Sequence, residues 1–156
     1  MKLAMIGTGK LGSALLAGIM ARGVLSSSDV GILERNAGKS AEMTERFGVQ
    51  ALTQEDLHRA EYILIAVQPL SFPAVAKWAA QYDASYISTM AGVTVDTLRR
   101  GLNTERVVRA MPNLAATIGH SQTALSATPA AEAAGDLNFA AQLFGAVGDT
   151  YILPEY

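Results

Sequence analysis

The chain has 156 residues, with 12 Lys and Arg against 14 Asp and Glu, two His and no Cys. That length suits one domain with a proper core, burying roughly 68–70% of the unfolded surface. A composition that is 50% hydrophobic and 17% charged excludes a disordered tail, and a formal charge of −2 leaves no electrostatic footprint for nucleic acid or an acidic membrane. Without Cys there is no disulfide framework, thiolate zinc site or Cys nucleophile, and His58 and His120 alone are too few for a multi-histidine metal site, so no metal is expected.

No apolar run approaches the ~18 residues of a membrane helix. Residues 1–7 do not read as a signal peptide, because they carry one positive charge and the apolar stretch breaks at Gly7. A cytoplasmic protein is expected. Residues 2–6 form a short apolar run ended by Gly7-Thr8-Gly9, which predicts a buried strand and a turn. Leu11, Leu15, Leu16, Ile19 and Met20 then recur with helical spacing as far as Gly23. A second strand at 30–33 closes on Glu34-Arg35-Asn36, and a helix over 39–47 stops at Gly48. Residues 49–52 predict a short strand, and Thr53 predicts a cap for a helical turn through Leu57. The run 62–67 is the strongest strand, apolar enough for burial on both faces. Further on, the pattern predicts a helix over 72–82, a strand over 85–90 and a helix capped by Thr94 through Leu102. Strands over 106–111 and 122–128, one long helix over 130–147 and a last strand over 150–153 complete the chain. The alternation predicts an α/β, doubly wound and mostly parallel sheet flanked by helices, with residues 1–156 as one domain.

Gly7-Thr8-Gly9-Lys10-Leu11-Gly12 fits G-x-G-x-x-G, in the context that a dinucleotide site requires. A strand precedes it, a helix opens within it, and an acidic residue, Glu34, ends the next strand. Gly7 permits the tight turn, Gly9 lets the main chain touch a pyrophosphate, and Gly12 lets the helix approach the sheet. The helix N-terminus offers unpaired N–H groups to the phosphates. The cofactor's identity is left open: a carboxylate at Glu34 favours a ribose 2′-hydroxyl and NAD, whereas the Arg35 guanidinium favours a 2′-phosphate and NADP.

Ligands of such sheets bind beyond the carboxyl ends of the strands. The residues there, Val67-Gln68-Pro69, Ala91-Gly92 and Met111-Pro112-Asn113, are small or polar. They suit a flat nicotinamide and offer little acid–base machinery. His58 and His120 read as structural.

Three segments resemble those of pyrroline-5-carboxylate reductases. Ala66-Val67-Gln68-Pro69 resembles A-V-K-P, and Ile87-Ser88-Thr89-Met90-Ala91-Gly92-Val93-Thr94 resembles I-S-x-x-A-G-V-T. Arg106-Val107-Val108-Arg109-Ala110-Met111-Pro112-Asn113 is similar to the family's V-R-x-M-P-N. The resemblance implies that residues 1–156 are a Rossmann-like NAD(P)-binding domain, and it implies NADPH-dependent reduction of the C=N bond of 1-pyrroline-5-carboxylate to L-proline, with NAD as the alternative cofactor. It implies a phosphate-binding turn from Ile6 through Gly7, Thr8, Gly9 and Lys10 to Leu11. Arg35 and Asn36 would meet the adenosine ribose or its phosphate, Val67, Gln68 and Ala91 would line the groove, and Asn113 would sit at the nicotinamide. Gln68 departs from the family's Lys, and Thr53 stands where the family often has Asn.

The resemblance also implies a second, all-helical domain that makes a homo-oligomer and carries the substrate site. None of it is expected in this chain, so an exposed apolar surface is expected near the C-terminus. Two alternatives stand: a reductase of another substrate, such as a hydroxy acid or a deazaflavin, and a nucleotide-binding module without catalysis of its own.

Overall fold

Strands form where the apolar runs are. The computed structural model describes residues 1–155, and their strands are β1 (Leu3–Ile6), β2 (Val30–Leu33), β3 (Gln50–Ala51), β4 (Tyr62–Ile65), β5 (Ser85–Ser88), β6 (Val107–Met111), β7 (Ser121–Ala127) and β8 (Gly148–Ile152). They make one sheet in the order β3-β2-β1-β4-β5-β6-β7-β8. Pairing is parallel except between β6 and β7. All four residues of β1, of β4 and of β5 are buried. That matches central strands covered on both faces.

The helices are α1 (Lys10–Ala21), α2 (Ala37–Phe47), α3 (Phe72–Ala79), α4 (Val95–Gly101), α5 (Pro129–Ala133) and α6 (Asp136–Gly145). One face of the sheet packs Leu3, Met5, Leu64 and Ile87 against Leu15, Leu16 and Ile19 of α1, Met43 of α2 and Leu143 and Phe144 of α6. The other face packs Ile6, Ile63, Ile65 and Val107 against Phe72, Val75 and Ala79 of α3 and Leu98 of α4. Helices on both faces make the sheet doubly wound, as expected.

Three expectations needed correction. The helix expected over 130–147 is two helices, broken at Gly135, which takes φ +85°. Thr53 does not cap the following turn. Its N–H and hydroxyl instead donate to the Asp56 carboxylate at 2.8 and 3.1 Å, and Glu55–Arg59 is a 3-10 turn. The strand expected over 85–90 ends at Ser88, whose hydroxyl takes the Met90 N–H (3.1 Å) and curls the chain away. A 3-10 turn at Leu114–Ile118 reverses the chain, which is why β7 returns antiparallel to β6.

At the amino ends of β4 and β5, Asp136 is wholly buried. It accepts from the Tyr62 and Ser85 hydroxyls (both 2.8 Å) and twice from Arg106 (2.8 and 2.9 Å). Burial, helped by the hydrogen bond and charge of Asp136, pushes the Tyr62 phenol up to about 12. At the other end of the chain, the Leu153 N–H donates to the Leu125 carbonyl. The Glu155 carboxylate takes the Val95 N–H and an Arg109 N–H. Tyr151, Ile152 and Leu153 are about half exposed or more, the apolar surface expected near the C-terminus.

Candidate dinucleotide site

The parallel strands β3, β2, β1, β4, β5 and β6 end at one edge of the sheet. β1 lies where the connections part: β2 follows on one side and β4 on the other. That switch point opens a crevice outside the strand ends. The Gly-rich turn fills its floor. Gly7 leaves β1 at φ +92°, where a Cβ would stand 2.8 Å from the Ala66 carbonyl oxygen on the neighbouring strand end. On Gly12 a Cβ would stand 2.8 Å from the Gly7 carbonyl oxygen. Both glycines therefore serve the packing of turn against helix and sheet.

Gly9 differs: a Cβ there would meet nothing within 4 Å. It is the N-cap of α1, and no side chain among the described residues caps that helix; α3 and α6 also start without a side-chain cap, while Asn36, Thr94 and Thr128 cap α2, α4 and α5. The first-turn amides of α1 thus open onto clear space at the positive end of a helix dipole, and a pyrophosphate fits there. Lys10 is exposed and Leu11 half-buried beside it.

Ile6 and Thr8 are both tied into the fold by hydrogen bonds. Ile6 is in the core, and its carbonyl accepts the Ala66 N–H at 2.8 Å. Thr8 is 2% exposed. Its amide and hydroxyl both donate to Glu34 Oε1, at 3.0 and 2.8 Å, and Glu34 Oε2 takes the Asn36 N–H at 2.8 Å. Burial opposes the Glu34 charge most strongly, but the Asn36 amide, the two Thr8 donors and the Lys39 charge together hold its pKa below the ordinary 4.5. Ser13, which the motif reading missed, locks the turn from the other side by donating to the Thr8 carbonyl at 2.7 Å.

Beyond β2, Arg35 and Asn36 are exposed at the entry to α2, with Lys39 one turn on. Lys39 was also missed, and only the helix N-terminus could have flagged it. Thr53 is exposed beyond β3. At the end of β4, Val67 is half-buried and Gln68 exposed ahead of a 3-10 turn begun by Pro69. Ala91 and Gly92 are exposed beyond β5. Beyond β6, Asn113 caps its 3-10 turn: Oδ1 takes the Ala115 N–H (3.1 Å), leaving its side-chain N–H group as the donor for a ligand. All the residues singled out from the sequence therefore lie along this edge. A cavity of about 670 Å³ lies elsewhere, between α4, α5 and residues 152–155. Among the described residues no group of three His, Asp or Glu could hold a metal, and no helix is long and apolar enough to cross a membrane.

Residues 2–92, which carry the whole glycine corner, match the family described as NADP oxidoreductase coenzyme F420-dependent. The chain belongs to that family. Within this oxidoreductase family it is 51% identical, over all 156 residues, to a pyrroline-5-carboxylate reductase of Thermus thermophilus, covering 60% of that protein. Against the enzyme of the same name from Methanosarcina acetivorans it is 30% identical over 164 aligned positions, covering 59% of that protein. The resemblance read from the motifs is thus borne out, and the chain spans about 60% of the length of these relatives. A solved pyrroline-5-carboxylate reductase from Coxiella burnetii superposes with TM-score 0.89 at 22% identity, over 99% of this chain and 59% of that one. That likeness confirms the Rossmann-like architecture.

Proposed function

We propose that the chain supplies the cofactor-binding part of an NADPH-dependent pyrroline-5-carboxylate reductase, which reduces the ring C=N bond to give L-proline. What supports the reading is the 51% identity to the Thermus reductase across every residue, with the glycine corner and the 66–69, 87–94 and 109–113 segments along one sheet edge. A Plasmodium falciparum reductase of the same fold (TM-score 0.79, 17% identity, over 97% of this chain and 57% of that one) was solved with NADP bound. A cytoplasmic location and the homo-oligomer implied by the family resemblance belong to the same proposal.

When bound, the nicotinamide supplies the hydride. This chain's residues do the placing. Main-chain amides from Gly9 to Leu11 hold the pyrophosphate, with Gly9 giving the clearance for close approach. Arg35 and Lys39 supply positive charge at the adenosine end. Val67 and Ala91 present small apolar surface on which a flat ring can lie. Asn113, its oxygen held by Ala115, presents N–H donors and fixes the ring's orientation. The iminium carbon is already electrophilic, so catalysis here is chiefly placement within roughly 3–3.5 Å of the hydride donor.

The test is a titration with NADPH, with and without pyrroline-5-carboxylate, following binding and oxidation separately. Tight NADPH binding is the expected result. Oxidation that depends on pyrroline-5-carboxylate, by this chain or by a longer protein containing it, completes the reading. Failure to bind NADPH overturns it. NADPH binding without oxidation in any form favours the binding-module alternative.

A further inference from the structure

An acidic residue closing the second strand of a dinucleotide fold is ordinarily the acceptor for the adenosine ribose. Glu34 has that position and a different occupation. A carboxylate offers about four lone-pair sites, and three of Glu34's are filled from within the chain, by the Thr8 amide, the Thr8 hydroxyl and the Asn36 amide. To serve a ribose fully, Glu34 would have to release Thr8, whose hydroxyl is buried and has no other partner among the described residues. An orphaned buried donor is costly.

We infer that Glu34 is a positioning residue: it staples the glycine turn to the junction of β2 and α2 and does not read the ribose. This rests on the dinucleotide reading above and deepens it in two ways. The Thr8 amide is spent on Glu34, so the phosphate cradle begins at Gly9, not at Thr8. The staple also ties the two parts of the site together, since one oxygen holds the pyrophosphate turn and the other holds Asn36 beside Arg35. With its charge shared among three donors, Glu34 leaves the 2′ position to the cations Arg35 and Lys39. Discrimination between the two cofactors then lies with those cations, and Glu34 sets affinity for both alike.

The experiment measures the affinity of the 156-residue chain for NADPH and NADH, unchanged and as Glu34→Ala, Glu34→Gln, Thr8→Val and the Glu34→Ala/Thr8→Val pair. Glu34→Ala is expected to weaken both cofactors by a similar factor, on the order of tenfold, the worth of one charged hydrogen bond. Thr8→Val should reproduce part of that loss for both, and the double variant should be no worse than Glu34→Ala alone. Glu34→Gln should recover part of it, because its oxygen can still accept from Thr8. In the unchanged chain without cofactor, the Thr8 and Asn36 amide proton resonances should titrate with one shared midpoint, below the ordinary glutamate value.

Loss of NADH binding with NADPH spared or improved in Glu34→Ala would make Glu34 the ribose acceptor and overturn the staple. Additive losses in the double variant, or separate midpoints for the two amides, would overturn it as well. If the unchanged chain binds neither dinucleotide, the cofactor reading falls and the staple's role falls with it. A cofactor-selective loss removes the staple alone.

Discussion

A Cβ on Gly12 would stand 2.8 Å from the carbonyl oxygen of Gly7, whereas one on Gly9, three residues earlier, would touch nothing within 4 Å. The two positions belong to one motif and answer to different physics. Gly12→Ala forces α1 away from the turn. Its expected cost is about 1–3 kcal/mol of folding stability, the usual range for overpacking, and cofactor affinity falls with it. Gly9→Ala is expected to leave stability within about 1 kcal/mol, since it changes only an N-cap at an ordinary φ of −65°. NADPH binding should nonetheless be lost, because the methyl group occupies the space a phosphate needs. Urea denaturation beside NADPH titration separates the two effects. A Gly9→Ala chain that binds NADPH normally would remove the pyrophosphate from this corner.

On the proposed reading, Arg35 shares the cofactor preference with Lys39. It is exposed at the entry to α2, next to the capping Asn36 and one turn before Lys39. Its guanidinium geometry suits a phosphate and adds little for a bare ribose hydroxyl. Arg35→Ala is expected to weaken NADPH by about 1–3 kcal/mol, the worth of charged hydrogen bonds, and to spare NADH. The gap should narrow as salt rises. Equal losses for the two cofactors would return Arg35 to the role of a solvated loop charge.

What the sequence made legible was local. The glycine corner, the apolar runs of β1 and β4, and the Thr94 cap each depend on residues a few positions apart, and each is where it was expected. What it hid depends on distance or on backbone freedom. Nothing near Glu34 says that Thr8, 26 residues earlier, fills its oxygen. Nothing near Asp136 points to Tyr62, 74 residues earlier. The pattern over 130–147 reads as one helix because Gly135 is tolerable within it, while the φ of +85° that Gly135 takes is not helical. Gly135→Ala makes this measurable. A Cβ there meets no atom within 4 Å, so only the left-handed backbone opposes it, and the expected cost is about 1 kcal/mol. A gain in stability on urea denaturation would mean that the two helices can fuse.

The acid limb of stability should report on Asp136. Burial opposes its charge most strongly, yet hydrogen bonds from Arg106, Tyr62 and Ser85 bring its pKa below the ordinary 3.8. A carboxylate depressed in the folded state stabilises above its unfolded pKa, and that contribution is lost as pH falls through the folded value. At neutral pH the contribution is therefore fully present, and it disappears only below about 3.8. Asp136→Asn removes the charge while keeping the shape, and its amide group faces hydrogen-bond donors on every side. A wholly buried pair broken on one side costs roughly 3–5 kcal/mol. Arg106 is 46% exposed, so about 2–3 kcal/mol is the better expectation at neutral pH. Unfolding curves for the two chains should then converge in acid, as Asp136 of the unchanged chain takes up its proton. A gap that stays constant across the acid range would show that Asp136 acts through packing alone.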